Sequence, residues 1–185
     1  MLYLMRKARL QFIYLALGLL NFALLITPFF FLRRKILRLA GIDIAPNAIV
    51  HRGVKIFSFG RMKIGENTVI NNGVYLDNRE KIIIGDNVSI AHNSKIYTMG
   101  HDINSSDFQA VGSMVTLENN VVIFSNVLIM PGSHLEYGCV IYAGSVVTKR
   151  ISAYAVAAGC PAKQIKERDK SATSYTLEYS YWMAP

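Results

Sequence analysis

Residues 97–102 of this 185-residue chain read YTMGHD and end in an imidazole beside a carboxylate. Histidine titrates close to neutral pH, so His101 can act as a general base that takes a proton from a weak nucleophile such as a hydroxyl. Asp102 is adjacent in sequence and need not face the same way, so a main-chain carbonyl could equally orient the ring. A lone loop histidine is more often a solvated side chain, and from residue type alone both roles stay open for His101.

The element that must position this segment is a six-residue repeat that begins at residue 44. Large aliphatic residues recur at every sixth position, with a two-residue excess after each of the first two triplets and a longer interruption after the third: Ile44, Val50, Ile56, Ile64, Ile70, Leu76, Ile84, Ile90, Ile96, then Leu117, Ile123, Ile129, Leu135, Ile141 and Val147. The fourth residue after each is usually small or β-branched, so both sets should point inward. This period matches neither a helix nor a coiled coil. It predicts an all-β solenoid, a parallel β-helix of about five triangular coils.

The repeat is interrupted at residues 97–116, and it resumes in register afterwards. A solenoid can extrude such a loop, because each coil needs only its inward residues to build the core. Functional residues are frequently placed on excursions of this kind. The sequence therefore predicts a protruding loop that carries His101.

The other histidines and the two cysteines offer less chemistry. His51, His92 and His134 fall at corner or outward positions of the repeat, where solvated side chains or sugar contacts are expected. Their wide spacing does not suit zinc, so no metal is expected. Cys139 takes a small inward position and Cys160 a terminal turn, so both are interpreted as structural.

The N-terminal 41 residues form a second region, hydrophobic and flanked by basic residues on both sides. Residues 10–32 carry no charge and, as a helix, would be about 35 Å long against a hydrocarbon core of roughly 30 Å. The region is expected to associate with a membrane, whether it spans, dips into or lies on the bilayer. A helical cap buried in an oligomer is the alternative.

A proline at position 28 divides this region into two predicted helices. Thr27 is suited to an N-cap and Pro28 to the first helical position, with Gly41 just past the end of the second helix. That second helix should be amphipathic. The predicted apolar stripe is Phe29, Leu32, Ile36 and Leu39, with Arg33, Lys35 and Arg38 elsewhere and available to lipid phosphates.

Several motifs together resemble the hexapeptide-repeat acyltransferases, in particular their sugar O-acetyltransferase branch. They are residues 84–89 (IGDNVS), the YTMGHD segment with its long loop, Pro131-Gly132, residues 143–149 (AGSVVTK) and residues 159–163 (GCPAK). The resemblance covers residues 41 to 168. It implies a left-handed β-helix for residues 42–168, a catalytic loop at 97–116 and a homotrimer with active sites between protomers. Residues 169–185 are left as a C-terminal tail.

The resemblance also implies roles for individual residues. His101 would be the general base, with Asp102 beside it. Coenzyme A contacts are implied for Ser125, Ala143, Thr148, Lys149 and Lys163, where cations suit the phosphates of the cofactor. Acceptor contacts are expected from the adjoining coils, at Asn72, Asp77, Asn78, Arg79 and His92.

The expected activity is acetyl transfer from acetyl-CoA to a sugar hydroxyl of a surface polysaccharide or its lipid-linked precursor. The apolar N-terminus, residues 1–40, favours a membrane location, so the enzyme is expected at the cytoplasmic face of a bacterial inner membrane. Two alternatives stay open: N-acetylation of a nucleotide-linked amino sugar, and a non-catalytic membrane-attached scaffold. The formal net charge of +8 suits an anionic partner, but the sequence contains no nucleic-acid-binding module, so nucleic acid is not expected.

Overall fold

A computed structural model describes residues 2–178 and 181–182. It begins with two helices, α1 (Leu2–Ile26) and α2 (Phe30–Leu39), and a short 3₁₀-helix spans Lys170–Thr173 near the other end. Between them lies a parallel β-solenoid whose very short strands form three sheets. The predicted solenoid and its N-terminal helical pair are thus confirmed.

The three sheets are the faces of a prism, and successive strands of one sheet come from successive coils. Sheet 1 consists of β1 (Asp43–Ile44), β4 (Met62–Ile64), β7 (Ile82–Ile84), β12 (Val115–Leu117) and β15 (His134–Leu135). Sheet 2 consists of β2 (Ile49–Val50), β5 (Val69–Ile70), β8 (Ser89–Ile90), β13 (Val122–Ile123), β16 (Val140–Ile141) and β18 (Ala155–Gly159), with β19 (Ala162–Glu167) added antiparallel. Sheet 3 consists of β3 (Lys55–Ile56), β6 (Tyr75–Leu76), β9 (Lys95–Ile96), β14 (Leu128–Ile129) and β17 (Val146–Val147).

The core follows the six-residue pattern. The fifteen repeated aliphatic residues are all buried, as are the small and β-branched residues at the fourth position, such as Ala48, Val88 and Cys139. Asparagines with positive φ, for example Asn67 and Asn87, turn the chain at the corners. Ring-like stacking of equivalent residues therefore fills the prism from end to end.

The prediction of five coils was too low, because the solenoid has about six turns. The sixth turn is built from Ile151, which bridges to Leu135, and from β18, which pairs with β16. Ala155 is the fourth residue and Ala157 the sixth after Ile151, as in the other coils, and both are buried. The pattern is nevertheless hard to see in the sequence, because Ile151 follows Val147 by four residues instead of six and Ala157 is small where the other coils carry a large aliphatic residue.

The two helices cover the open end of the first coil, where strand edges would otherwise be unpaired. Arg33 donates from Nε to Val50 O at 2.6 Å, Arg34 from Nη1 to Ala48 O at 3.0 Å, and Arg38 from Nη2 to Ile44 O at 2.9 Å. Burial lowers the pKa of the Arg33 guanidinium to about 10, with a smaller effect from Arg52. The arginines of α2 thus serve as hydrogen-bond donors to the first coil.

Three details of the predicted second helix were wrong. The helix begins at Phe30 with Phe29 as its N-cap residue, so Thr27 is not the cap and Pro28 is not its first residue. Arg33 is fully buried whereas Leu39 is 89% exposed, because the face toward the solenoid is the one that supplies donors to its edge. The helix end was predicted correctly, since Gly41 has φ +79°.

The described part of the C-terminal tail runs back along the corner between sheets 1 and 2. Asn120 donates from Nδ2 to Thr173 O at 2.9 Å, and Asn87 donates to Tyr175 O at 2.7 Å. Farther along, the main-chain oxygen of Trp182 accepts a hydrogen bond from Phe30 N at 3.1 Å. The tail connects the last coil to α2, while its residues 179–180 and 183–185 lie outside the described residues.

Candidate active site

The interruption of the repeat is an antiparallel hairpin, β10 (Met99–His101) and β11 (Ala110–Gly112), at the corner between sheets 3 and 1. Thr98 fixes its base: its carbonyl accepts from Ser113 N at 2.9 Å, and its Oγ1 donates to Asp77 O at 2.6 Å. The Met99 side chain packs over Gly112, since its Sδ lies 2.3 Å from the position that a Cβ there would take. The hairpin is therefore firmly rooted in the solenoid.

His101 lies on this hairpin with its side chain exposed to solvent, paired through the backbone with Ala110. Its ring stacks on Phe108, with centroids 4.3 Å apart and planes inclined by 6°. The Asp102 carboxylate instead accepts a hydrogen bond from Asn104 N at 2.9 Å, and Asp102 N donates to Gln109 O. Among the described residues, the ring contact of His101 is with Phe108, and Asp102 shapes the turn of the hairpin.

The C-terminal end of the same corner carries a basic cleft of about 360 Å³. Thr148 and Lys149 line one side, and Lys163, in the strand after the Cys160–Pro161 turn, lines another. Backbone hydrogen bonds from Tyr97 N to Ile129 O and from Met130 N to Val147 O connect the coil that carries the hairpin, through one intervening coil, to the coil that carries the cleft. The two levels are therefore two coils apart, about 10 Å along the axis.

The remaining predicted cofactor residues lie on a different corner, between sheets 2 and 3. Ser125 accepts a hydrogen bond through its carbonyl from Gly144 N, beside the exposed Ala143, and His92 accepts one from Asn126 N. Asn72, one coil below His92, donates from Nδ2 to Arg52 O at 2.7 Å. The predicted site residues thus divide between two edges of the prism, with sheet 3 between them.

The predicted acceptor residues of the hairpin's corner are largely engaged with their own chain. Asn78 is buried, its Oδ1 accepts from Phe57 N and Ser58 N, and its Nδ2 donates to Ser58 O and Gly60 O. This amide holds the corner one coil below, and its full hydrogen-bonding capacity is used there. A contact from Asn78 to an acceptor stays a prediction.

Asp77 and Arg79 form a bidentate pair at the same level, with distances of 2.8 Å from Nε and 2.7 Å from Nη2. The hydrogen bond to the buried Asp77 raises the pKa of Arg79. The Arg79 guanidinium also lies over the Phe57 ring, 4.7 Å from its centroid. Arg79 therefore presents a fixed cation at the edge below the hairpin.

The other histidines and cysteines differ in their surroundings. His51 is buried against Phe30, with ring centroids 5.3 Å apart, so the prediction of a solvated side chain or a sugar contact was wrong for this residue. His134 Nε2 lies 2.6 Å from Glu118 Oε1 on sheet 1. Burial raises the pKa of the Cys139 thiol to about 12, which agrees with a structural role.

Phe108 is the residue of the hairpin that sequence reasoning missed. Phe108 has φ +51°, and it is 60% exposed although one face of its ring packs on His101. An aromatic residue inside a loop has no periodic pattern to mark it. The available signal was its position, seven residues after the imidazole and the only aromatic residue between His101 and the end of the loop at 116.

Comparison with known proteins agrees with this fold and these motifs. No family model matches the chain. A hexapeptide-repeat acetyltransferase of Vibrio cholerae O1 biovar eltor, solved with acetyl coenzyme A, superimposes with a TM-score of 0.80 over 88% of this chain and 91% of that one; at 22% identity it shows the fold alone. A maltose O-acetyltransferase of Clostridium difficile 630 superimposes with a TM-score of 0.74, and at 31% identity it covers 84% of this chain and 86% of its own. The chain belongs to the hexapeptide-repeat acetyltransferases.

Curated relatives of this hexapeptide-repeat protein match over shorter stretches. The galactoside O-acetyltransferase of Escherichia coli (strain K12) is 38% identical over 97 residues, which is 50% of this chain and 47% of the relative. The chain spans less than half the length of the curated relatives it matches. The chain is therefore a member of the family, and the activity, substrates and partners of the relatives do not transfer to it directly.

Proposed function

We propose that this protein is an acetyl-CoA-dependent O-acetyltransferase that acts on a sugar hydroxyl. The observation that carries the proposal is the corner between sheets 3 and 1, which bears both the exposed imidazole of His101 and the basic cleft at Lys149 and Lys163. A base on the hairpin and a cationic anchor two coils farther along the axis suit a cofactor with a thioester at one end and phosphates at the other. Galactoside and maltose O-acetyltransferases among the relatives support a sugar acceptor.

In the proposed reaction, His101 takes the proton of the sugar hydroxyl as its oxygen attacks the carbonyl carbon of the acetyl thioester. The tetrahedral intermediate collapses with cleavage of the carbon–sulfur bond, and the coenzyme A sulfur leaves with the proton carried by the imidazole. Phe108 keeps the ring in place while it accepts and returns this proton. General-base assistance of this kind contributes about 10² to 10⁴ in rate.

We also propose that the active site is completed between protomers of a homotrimer. One protomer presents His101 and Lys149 on one edge of sheet 3, while Ser125, Ala143 and His92 lie on the opposite edge. A neighbouring copy that packs against sheet 3 would bring its corner between sheets 2 and 3 next to the corner between sheets 3 and 1 of this protomer. In this arrangement, the predicted cofactor residues on two separate corners of one protomer would belong to two different active sites, each shared with a neighbour.

The proposed location is the cytoplasmic face of a bacterial inner membrane, with a surface polysaccharide or its lipid-linked precursor as acceptor. Helix α1 contains a stretch, Met5–Ile26, that is long and apolar enough to cross a bilayer, and only 11% of its most apolar part is buried. Its second half is held to the solenoid, because Leu24 is fully buried and Asn21 pairs with Ile56. Residues 2–16, which precede this anchored half, would extend about 22 Å, less than a hydrocarbon core of roughly 30 Å. An in-plane orientation therefore suits this helix better than a span.

The outward face of α1 fits this orientation. Phe12, Leu15, Leu19, Phe22 and Ile26 recur at intervals of three and four residues, and each is more than half exposed. They lie on the side of the helix opposite Leu17 and Leu24. Arg6 and Lys7 near the start of the helix would meet anionic headgroups.

The test is incubation of the purified protein with labelled acetyl-CoA and a panel of glycans, followed by mild alkaline treatment of the product. An ester releases its label under these conditions, whereas an amide retains it. Stable labelling of an amino sugar would favour N-acetylation. Failure to bind acetyl-CoA at all would favour the scaffold.

A further inference from the structure

An open groove of about 550 Å³ lies between α1 and the corner where the first coil passes from sheet 3 to sheet 1. Met5, Ala8, Phe12 and Ala16 form the helical wall, and Phe59 forms the other. Arg9 is the charged residue among those that line it. The groove is therefore open and apolar, with one cation on its wall.

The position of the groove connects it to the candidate active site. Phe59 lies on the loop that the Asn78 amide holds through Ser58 and Gly60, one coil below Asp77. Thr98, at the root of the hairpin, donates to the carbonyl of Asp77. The groove and the hairpin thus share one corner of the prism, two coils or about 10 Å apart.

The groove also adjoins the outward face of α1, because Phe12 belongs to both. A hydrocarbon chain that leaves a bilayer beside this face can enter the groove without crossing water. Its polar head would then project along the corner toward Arg79 and His101. Charge agrees with an acceptor whose lipid and sugar are joined by an anionic linkage, since Arg9 lies on the wall of the groove.

We propose that this groove binds the hydrocarbon chain of a glycolipid acceptor, which rests on the proposed O-acetyltransferase function. The chain is fixed between Phe59 and the small residues Ala8 and Ala16, while the sugar reaches the hairpin. The acceptor is thereby selected by its lipid as well as by its sugar. A soluble sugar would be a poorer substrate than the same sugar on an alkyl chain.

The first test fills the groove by Ala16→Trp and uses Leu19→Trp as a matched control on the outward stripe. Both positions are exposed, so folding should be retained, which circular dichroism checks. With acetyl-CoA as donor, kcat/KM is measured for dodecyl β-galactoside, below its critical micelle concentration, and for methyl β-galactoside. Ala16→Trp should lower kcat/KM for the dodecyl acceptor at least about tenfold and leave the methyl acceptor unchanged, whereas Leu19→Trp should change neither. Equal effects on both acceptors would overturn the proposal.

The second test reads binding rather than turnover. A dodecyl glycoside with a photoreactive group at the end of its chain should label peptides that contain Phe59 and residues 5–16, and Phe59→Ser should reduce this labelling. Labelling without turnover of either galactoside would support the groove and count against the proposed activity. Labelling elsewhere, or groove residues cross-linked to a second copy of the chain, would show that the groove does not hold lipid.

Discussion

The imidazole of His101 and the phenyl ring of Phe108 lie parallel, 4.3 Å apart, on an exposed hairpin. Stacking holds the base through its ring face and leaves both ring nitrogens free of that contact. A histidine oriented in this way depends on an aromatic neighbour, whereas a histidine paired with a carboxylate depends on charge. The proposed mechanism can therefore be tested at two residues.

Replacement of His101 by Gln should lower kcat about 10² to 10⁴-fold with little change in KM for acetyl-CoA, because the proton acceptor is lost and the cofactor cleft is intact. Phe108→Ala should lower kcat less and Phe108→Tyr hardly at all. Asp102→Asn serves as the control for a carboxylate partner. A larger loss of activity in Asp102→Asn than in Phe108→Ala would show that the carboxylate orients the base.

Lys149→Ala and Lys163→Ala should each raise the KM for acetyl-CoA about three- to tenfold and change kcat little, because the cleft they line is two coils from the hairpin. Lys63→Ala, an exposed lysine on sheet 1, is the matched control. Steady-state kinetics at two salt concentrations would check the assignment, since screening should reduce the effect. A fall in kcat with an unchanged KM would contradict phosphate contacts at these lysines.

Cys139 should resist alkylation in the native protein, because burial raises the pKa of its thiol to about 12. In the Cys160→Ser variant, iodoacetamide at pH 8 should leave the protein unmodified until denaturant is added. Since an unfolded thiol ionises near pH 9.0, this group stabilises the fold fully below that pH and progressively less as pH rises toward 12. Rapid native labelling of Cys160→Ser, measured by mass spectrometry, would show that the last coils open.

The periodic part of this fold was predictable from sequence, because each inward position is repeated in the next coil and faces the same environment. Ile64, Ile84 and Leu117, for example, stack in one sheet and are all buried. The hairpin was marked by the gap in the repeat. The sixth turn was not, because its first core residue, Ile151, comes four residues after Val147 instead of six, and Ala157 replaces a large aliphatic residue.

The ends of the solenoid were harder to predict for a physical reason. Terminal coils leave backbone carbonyls without partners, and these attract donors that a sequence pattern assigns to solvent. Arg33 illustrates this, since its guanidinium bonds to Val50 O in the interior although the residue was expected to face lipid phosphates. Phe108 likewise acts through a contact that has no periodicity to reveal it.

Asn21→Leu should lower the free energy of unfolding by about 1–3 kcal/mol, because Asn21 donates to Ile56 O and accepts from Ile56 N, both at 2.9 Å. Gln11→Leu, on an exposed position of the same helix, is the matched control and should change stability little. Urea denaturation followed by circular dichroism measures both. Equal stability of the two variants would mean that α1 is not held to the first coil in solution.

The membrane proposal is best tested on the outward stripe of α1, since deletion of residues 1–40 would also remove the arginines that cover the first coil. The variant Leu15→Ser, Leu19→Ser, Phe22→Ser removes three exposed apolar side chains without touching the buried face. Its partitioning onto anionic vesicles, measured by sedimentation, should fall at least about tenfold, because each side chain loses burial in the interface.

A matched triple variant at Ile103, Val111 and Ile165, which are exposed elsewhere, should bind vesicles like the parent protein. The two variants remove comparable apolar area, so a difference between them identifies the surface and not the overall hydrophobicity. Raised salt should weaken binding of the parent through Arg6 and Lys7, and it should weaken the stripe variant in proportion. If both triple variants lose binding equally, α1 does not lie on the membrane through this face, and the residues exposed there would be free to contact another protomer.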